Sequence, residues 1–195
     1  MSDLKEELHR KLKASRAALL SKLDDLGEYD RRRPMTPTGT NLLGLVKHLA
    51  GLEYGYLGES FGYPSPERMS WMEDGSIWEG GDMWAKPDES SEYITGLYRR
   101  ACAHADGVIA ALDLESPGSV KHWPEDRRAT TLGVLLIRMV AETAQHAGHA
   151  DVVRELIDGK GGPDQDGIDE ATWRAYVSQV QTAADAFATD SGPVA

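Results

Sequence analysis

Apolar residues recur at helical spacing in four long segments of the chain. Within each segment they return every three or four residues, with charged residues between them, as in a helix that buries one face. The segments cover about residues 3–26, 42–62, 88–112 and 131–158. Four helices with one buried face each favour an all-α protein, and specifically a four-helix bundle. The pattern indicates no β-strand and no internal repeat.

Capping and breaking residues set the expected ends of these helices. Thr40 or Asn41 is placed to cap the second helix, Asp88 begins the third and Gly159 ends the fourth. After Gly159 we expect a flexible hinge, a shorter helix over about residues 168–188 and a frayed tail. The predicted domains are a bundle over residues 1–160 and a C-terminal extension over residues 161–195.

The loop between the second and third helices is long, at residues 63–87, and rich in glycine, proline and aromatic residues. Loops of this length are usually functional or disordered. Trp71, Trp78 and Trp84 argue against disorder, because disordered segments contain few aromatic residues. These side chains either pack over one end of the bundle or line the mouth of a binding cavity. The sequence leaves both interpretations open.

Composition narrows the class of protein and of partner. The 195 residues carry a net charge of −11, and an acidic surface of this kind repels a nucleic-acid backbone. No apolar run approaches the roughly 18 residues that a membrane span requires, and the charged N-terminus does not read as a secretory signal. The single cysteine, Cys102, cannot form an internal disulfide. We therefore expect a cytoplasmic protein without nucleic-acid or membrane partners, as a monomer or a homodimer.

Polar side chains lie where the last long helix is expected to face the core. Glu142, His146 and His149 are four and seven residues apart, so they point in nearly the same direction. His48 borders the apolar face of the second helix. Helix bundles build metal sites from such side chains on facing helices. The alternatives are hydrogen-bonded core histidines and an ion pair between Glu142 and Arg138, one turn earlier.

Two imidazoles and one carboxylate form the ligand set of open zinc sites, in which water or substrate takes the remaining position. The same set serves non-haem iron(II), so the ligand types alone do not decide the metal. On spacing alone, a metal site and an ordinary set of polar contacts remain about equally well supported.

Several motifs resemble the DinB-like superfamily of metal-binding four-helix bundles. They are the histidine in the middle of the second helix and "ETAQHAGHADVVRELIDG" at the end of the fourth. "DMWAKPDES" and "YRRAC" are similar to its actinobacterial branch, which includes mycothiol-dependent S-transferases and mycothiol-dependent maleylpyruvate isomerase. The resemblance covers roughly residues 5–160.

The resemblance implies a metal held by His48, Glu142 and His146, with His149 at the edge of the site. A His146–His149 pair, with Glu142 outside the ligand set, is the alternative. The cofactor implied is one divalent metal, Zn²⁺ first and Fe²⁺ or Ni²⁺ as alternatives, and mycothiol is the implied co-substrate.

The activity implied is a metal-dependent thiol S-transferase, for detoxification or a step of small-molecule metabolism. The metal would stabilise the thiol of mycothiol as a bound thiolate, which attacks a small electrophile. Trp71, Trp78 and Trp84 would then stack on the sugar rings of the thiol. Cys102 lies on the apolar face of the third helix and is interpreted as a core residue. The alternatives are a hydrolase with a metal-bound water and a non-catalytic metal- or ligand-binding bundle.

Overall fold

The computed structural model describes residues 3–160 and 167–188, and most of them are helical. The helices are α1 (Leu4–Ser21), α2 (Glu28–Arg32), α3 (Leu42–Leu57), α4 (Ser70–Glu73), α5 (Ser91–Ala111), α6 (Leu132–Asp158) and α7 (Glu170–Asp185). Short 3₁₀ turns cover Glu59–Phe61, Ser76–Glu79 and Glu125–Arg127. The prediction of a mostly helical protein is confirmed. The four long segments of the sequence correspond to α1, α3, α5 and α6.

The ends of these helices follow their capping residues. Asn41 caps α3, and its side-chain oxygen accepts a hydrogen bond from the backbone N–H of Gly44 at 2.8 Å. Gly159 ends α6 with a left-handed backbone, at φ +76°, as expected of a C-terminal glycine. The prediction that Asp88 begins the third helix is wrong, because Ser90 caps α5 through the N–H of Tyr93. Helix α1 also ends at Ser21, earlier than predicted.

Buried faces of the four long helices form the core. Helix α3 packs against α5 and α6, and α1 packs against α6 and, over a shorter stretch, α5. The apolar side chains at these contacts are almost fully buried; they include Leu12, Leu19, Leu45, Leu49, Ile94, Leu97, Ala101, Leu135, Met139 and Ala150. Helix α3 lies at the centre of this packing, so the side chains beside its buried face are held by several neighbours.

A buried ion-pair network joins three of these helices. The guanidinium of Arg16 on α1 donates to both carboxylate oxygens of Glu53 on α3, at 2.7 and 2.6 Å. Arg16 also donates to Asp106 on α5 at 2.6 Å. Glu53 is fully buried, so this bidentate pair satisfies a carboxylate that has no access to water.

A small antiparallel hairpin precedes α6, and the prediction of no strand is wrong here. Strand β1 (Pro117–Ser119) pairs with β2 (Ala129–Thr131), with Gly118 opposite Thr130. Strands of three residues are too short to show an alternating pattern in the sequence. A Cβ at Gly118 would lie 2.5 Å from the ring of Phe61, so this glycine lets the hairpin approach the end of α3 closely.

Contacts along the chain divide it into two units, Met1–Gly159 and Lys160–Ala195. In the second unit, Asp169 caps α7 and accepts from the N–H of Thr172 at 2.9 Å. Most of the predicted hinge, at residues 161–166, and the predicted tail, at residues 189–195, lie outside the described residues. Within the part of the chain that the structure describes, no helix is long and apolar enough to cross a membrane.

Candidate functional site

The buried face of α6 passes beside the polar residues instead of through them. Thr143, Ala147 and Ala150 continue the core face below Met139 and are buried. Glu142 and His146 flank that face and are partly buried, whereas His149 is exposed. The prediction that all three face the core is therefore wrong for His149. Small side chains occupy the core positions of α6. Because they are only weakly apolar, the sequence pattern did not indicate that this face is the buried one.

His48 on α3 and His146 on α6 meet across the packed helices. Their ring centroids are 5.1 Å apart in an edge-to-face arrangement. The ring of His149 follows at 5.5 Å from that of His146. Glu142 places one carboxylate oxygen 3.8 Å from Nε2 of His146 and accepts from Arg138 with the other at 3.1 Å. The structure thus brings the four predicted residues together, and it also contains the alternative ion pair with Arg138.

His48 is oriented by a carboxylate from the long loop. Its Nδ1–H donates to Asp82 at 2.6 Å, and Asp82 is buried. In a neutral ring this bond places the proton on Nδ1 and the lone pair on Nε2, as in the carboxylate–histidine pairs that support metal ligands. Asp82 opens the motif "DMWAKPDES", but the sequence alone gave it no role. Only the folded loop places it beside His48.

A buried lysine holds that loop against α3. Lys47 is fully buried, and its ammonium donates to the carbonyls of Gly81 and Trp84 at 3.0 and 2.9 Å and to Glu89 at 2.7 Å. The same ammonium lies 4.3 Å from the centre of the Trp71 ring. Because Gly81 and Trp84 lie on either side of Asp82 in the chain, this clamp fixes the loop segment that carries Asp82.

The imidazole of His146 is neutral at pH 7. Its pKa is lowered to about 4, mainly by burial and then by the nearby His48, while Glu142 opposes the shift. Its Nδ1 is buried and has no hydrogen-bond partner among the described residues. A neutral imidazole with an unused nitrogen has a lone pair available for a ligand.

These residues fit a divalent cation by chemistry, although they do not form a closed ligand set. Two imidazoles that bind one cation through nitrogens at about 2.1 Å place their ring centres about 5 Å apart, close to the separation of His48 and His146. Glu142 supplies an oxygen ligand, but it is engaged by Arg138. Accordingly, no three His, Cys, Asp or Glu side chains in the described ranges are placed to hold one metal ion as they stand.

A cavity of about 520 Å³ opens beside His48. Its walls come from α3, from the long loop and from the hairpin before α6, and they are mostly apolar. His48 and Asp82 form part of its lining, and Tyr56, Trp78 and His122 form an aromatic part. The size and character are those of a small-molecule site.

Comparison with known families identifies the family of the chain. A family model described as mycothiol S-transferase matches residues 7–159. The chain belongs to the mycothiol S-transferase family. This membership makes it an enzyme of the mycothiol-dependent transferase type. It agrees with the resemblance seen in the sequence. A search of curated proteins finds no match.

The three tryptophans of the long loop occupy different places in this transferase. Trp71 is fully buried in the core beside Lys47. Trp78 lines the cavity and is 74% exposed. Trp84 is half exposed and is absent from the cavity lining formed by the described residues. A role in substrate binding therefore stays a prediction for Trp78, whereas Trp71 packs in the core.

Cys102 on α5 is a partly buried thiol outside this site. Burial raises the pKa of its thiol, and the buried Glu53 raises it further. A thiol held protonated is a poor nucleophile. This environment supports the interpretation of Cys102 as a core residue and not as a nucleophile.

Proposed function

We propose that this transferase joins the sulfur of mycothiol to a small electrophile in the cavity beside His48. A divalent cation would be held by His48, Glu142 and His146, with Zn²⁺ favoured over Fe²⁺ and Ni²⁺. The four long helices would form the DinB-like bundle that presents these ligands. One observation carries the proposal: His48 both lines the cavity and lies 5.1 Å from His146.

The overall reaction is a substitution at the electrophile. The thiol loses its proton to solvent, a C–S bond forms and the bond from carbon to the leaving group breaks. The leaving group departs with the electron pair. When bound, a divalent cation would lower the pKa of the thiol, so that more of it is thiolate at neutral pH.

The protein's own residues orient and shield the reacting groups. Asp82 holds the ring of His48, which lines the cavity, in one orientation. His146 stays neutral down to about pH 4 and keeps its lone pair. The apolar walls exclude water from the thiolate, which favours conjugation over side reactions.

Metal content tests the cation and its ligands. Protein purified without a polyhistidine tag is analysed by mass spectrometry, with His48→Ala and Glu142→Ala beside it. His104→Ala is the matched control, because the His104 ring bonds to the carbonyl of Tyr63. We expect about one metal ion per chain in the wild type and in the control. Both ligand variants should lose it.

Asp82→Asn gives a graded version of the same test. The amide keeps the shape but replaces the charged acceptor of His48, and such a change weakens metal affinity about 10- to 100-fold. Competition with a chromogenic chelator measures this affinity. If the wild type takes up no zinc or iron after refilling, or if His48→Ala binds metal as well as the wild type, this ligand set is wrong. A product that carries no sulfur from mycothiol would instead indicate the hydrolase alternative.

A further inference from the structure

Two glycines of α3 line the cavity although the fold does not require them. A Cβ at Gly51 would make an ordinary contact, 3.7 Å from the indole nitrogen of Trp71. A Cβ at Gly55 would meet no described atom within 4 Å. Both residues have ordinary helical backbone, and a glycine inside a helix costs about 0.5–1 kcal/mol relative to alanine. Gly44, whose added Cβ would overlap the loop, shows what a structural requirement looks like.

These glycines leave a bare strip of helix that begins at the candidate site. His48, Gly51 and Gly55 follow one another at intervals of three and four residues, so they share one face of α3. With a rise of 1.5 Å per residue, the strip extends about 10 Å from His48 to Gly55. No side chain projects from the glycines, so a ligand can lie directly against the helix backbone.

Aromatic rings form another wall of the same cavity. The ring of Trp78 lies 5.9 Å from that of His122, and the ring of His122 lies 5.7 Å from that of Tyr56. Burial lowers the pKa of His122, as does the nearby Arg138, so this ring is neutral at pH 7. Trp78 lines the cavity, and the residue is 74% exposed overall. Aromatic rings of this kind bind other flat rings by stacking or edge-to-face contact.

We infer that the Gly51–Gly55 strip and Trp78 form the subsite for a flat aromatic or conjugated electrophile. Its reacting carbon lies at the His48 end, where the sulfur of the thiol is delivered. The assignment rests on the proposed function for the identity of that end. The lining side chains Leu52, Met72 and Ile77 suit a flat apolar ring better than a sugar, whose hydroxyls need polar partners. Glu59, Ser60 and Lys121 supply the polar part of the same cavity.

Binding of an unreactive aromatic probe tests the subsite without turnover. The affinity of 4-nitrobenzyl alcohol for the full chain is measured by calorimetry in the wild type and in Gly55→Leu. Gly107→Leu on α5 is the matched control, since an added Cβ there also meets open space and the residue is outside the cavity lining formed by the described residues. Both variants replace a helical glycine and should unfold at the same urea concentration as the wild type or a higher one.

Gly55→Leu should raise the Kd for the probe at least about tenfold, which is about 1.4 kcal/mol. Trp78→Ala should weaken binding in the same direction, whereas Gly107→Leu should leave the Kd unchanged. Myo-inositol and methyl glucoside should not compete with the probe. Equal affinity in Gly55→Leu and the wild type, no binding by the wild type, or competition by the sugars would each overturn the assignment.

Turnover separates this inference from the proposed function. With mycothiol as the thiol, Gly55→Leu should raise the KM for 4-nitrobenzyl bromide and leave that for the smaller iodoacetamide nearly unchanged. An equal rise for both electrophiles contradicts the subsite. If the wild type conjugates neither electrophile, the proposed function fails, while the binding measurement still decides whether the aromatic subsite exists.

Discussion

Adding a single methyl group at Gly44 should push the long loop away from α3. A Cβ at this position would lie 1.8 Å from the carbonyl oxygen of Met83 and 2.6 Å from its carbonyl carbon. Real Cβ contacts essentially never fall below 3.0 Å, so Gly44→Ala requires a displacement of at least 1.2 Å. The atom in the way is backbone and cannot rotate aside. The loop itself must therefore move.

The displacement reaches the bonds that hold Asp82. Met83 accepts from the side chain of Asn41 at 3.1 Å, and the neighbouring carbonyls accept from Lys47 at 3.0 and 2.9 Å. A shift of 1.2 Å takes such contacts beyond hydrogen-bond range. Overpacking costs about 1–3 kcal/mol, and each net hydrogen bond lost adds about 0.5–1.5 kcal/mol. The better helix propensity of alanine returns up to about 1 kcal/mol.

We therefore expect Gly44→Ala to lower the free energy of unfolding by about 2–6 kcal/mol. Urea denaturation followed by circular dichroism measures this change. The transferase rate should fall as well, because Asp82 no longer orients His48. Gly107→Ala is the control and should gain about 0.5–1 kcal/mol, since its Cβ meets open space. If Gly44→Ala keeps the stability and the rate of the wild type, the loop is not held against α3 as described.

Three further predictions follow from buried groups. Glu53→Ala leaves the buried guanidinium of Arg16 without its bidentate partner, and should lower the free energy of unfolding in urea by about 3–5 kcal/mol; Arg16→Met combined with Glu53→Leu should lose less. Cys102 should react slowly with Ellman's reagent at pH 8 in the native state and rapidly in urea, because burial raises its pKa; fast reaction of the native thiol would contradict this. The pKa of His146 is about 4 when folded and 6.5 in a model peptide, so the unfolded state takes up more protons between these values. Stability should therefore fall as the pH drops from 6.5 to about 4, and His146→Gln should lose less stability over this range, as measured by urea titrations at each pH.

Helix positions could be predicted from the sequence because their signals are local. The cap at Asn41, one of the two predicted candidates, and the end at Gly159 depend on a few neighbouring residues. The strands of the hairpin are too short to give a pattern. The core face of α6 was misplaced because Ala147 and Ala150, which are buried, are small and only weakly apolar.

The site was only partly predictable for the same physical reason. His48 and His146 could be paired because each borders the apolar face of its own helix. The role of Asp82 could not be predicted, because its position depends on hydrogen bonds from Lys47 to loop carbonyls 34 and 37 residues away. A lysine within an apolar helix face was the available signal. A fully buried ammonium needs several partners, and here they lie in the loop that carries Asp82.

Formation of a mycothiol S-conjugate by the wild type and His48→Ala is the most direct test of the central claim. The initial rate is followed by mass spectrometry with mycothiol and a panel of electrophiles, and His104→Ala serves as the control. We expect the wild type and the control to form the conjugate faster than buffer alone, and His48→Ala to fall to the uncatalysed rate. A wild type that does no better than buffer, or a His48→Ala variant that keeps full activity, would contradict it.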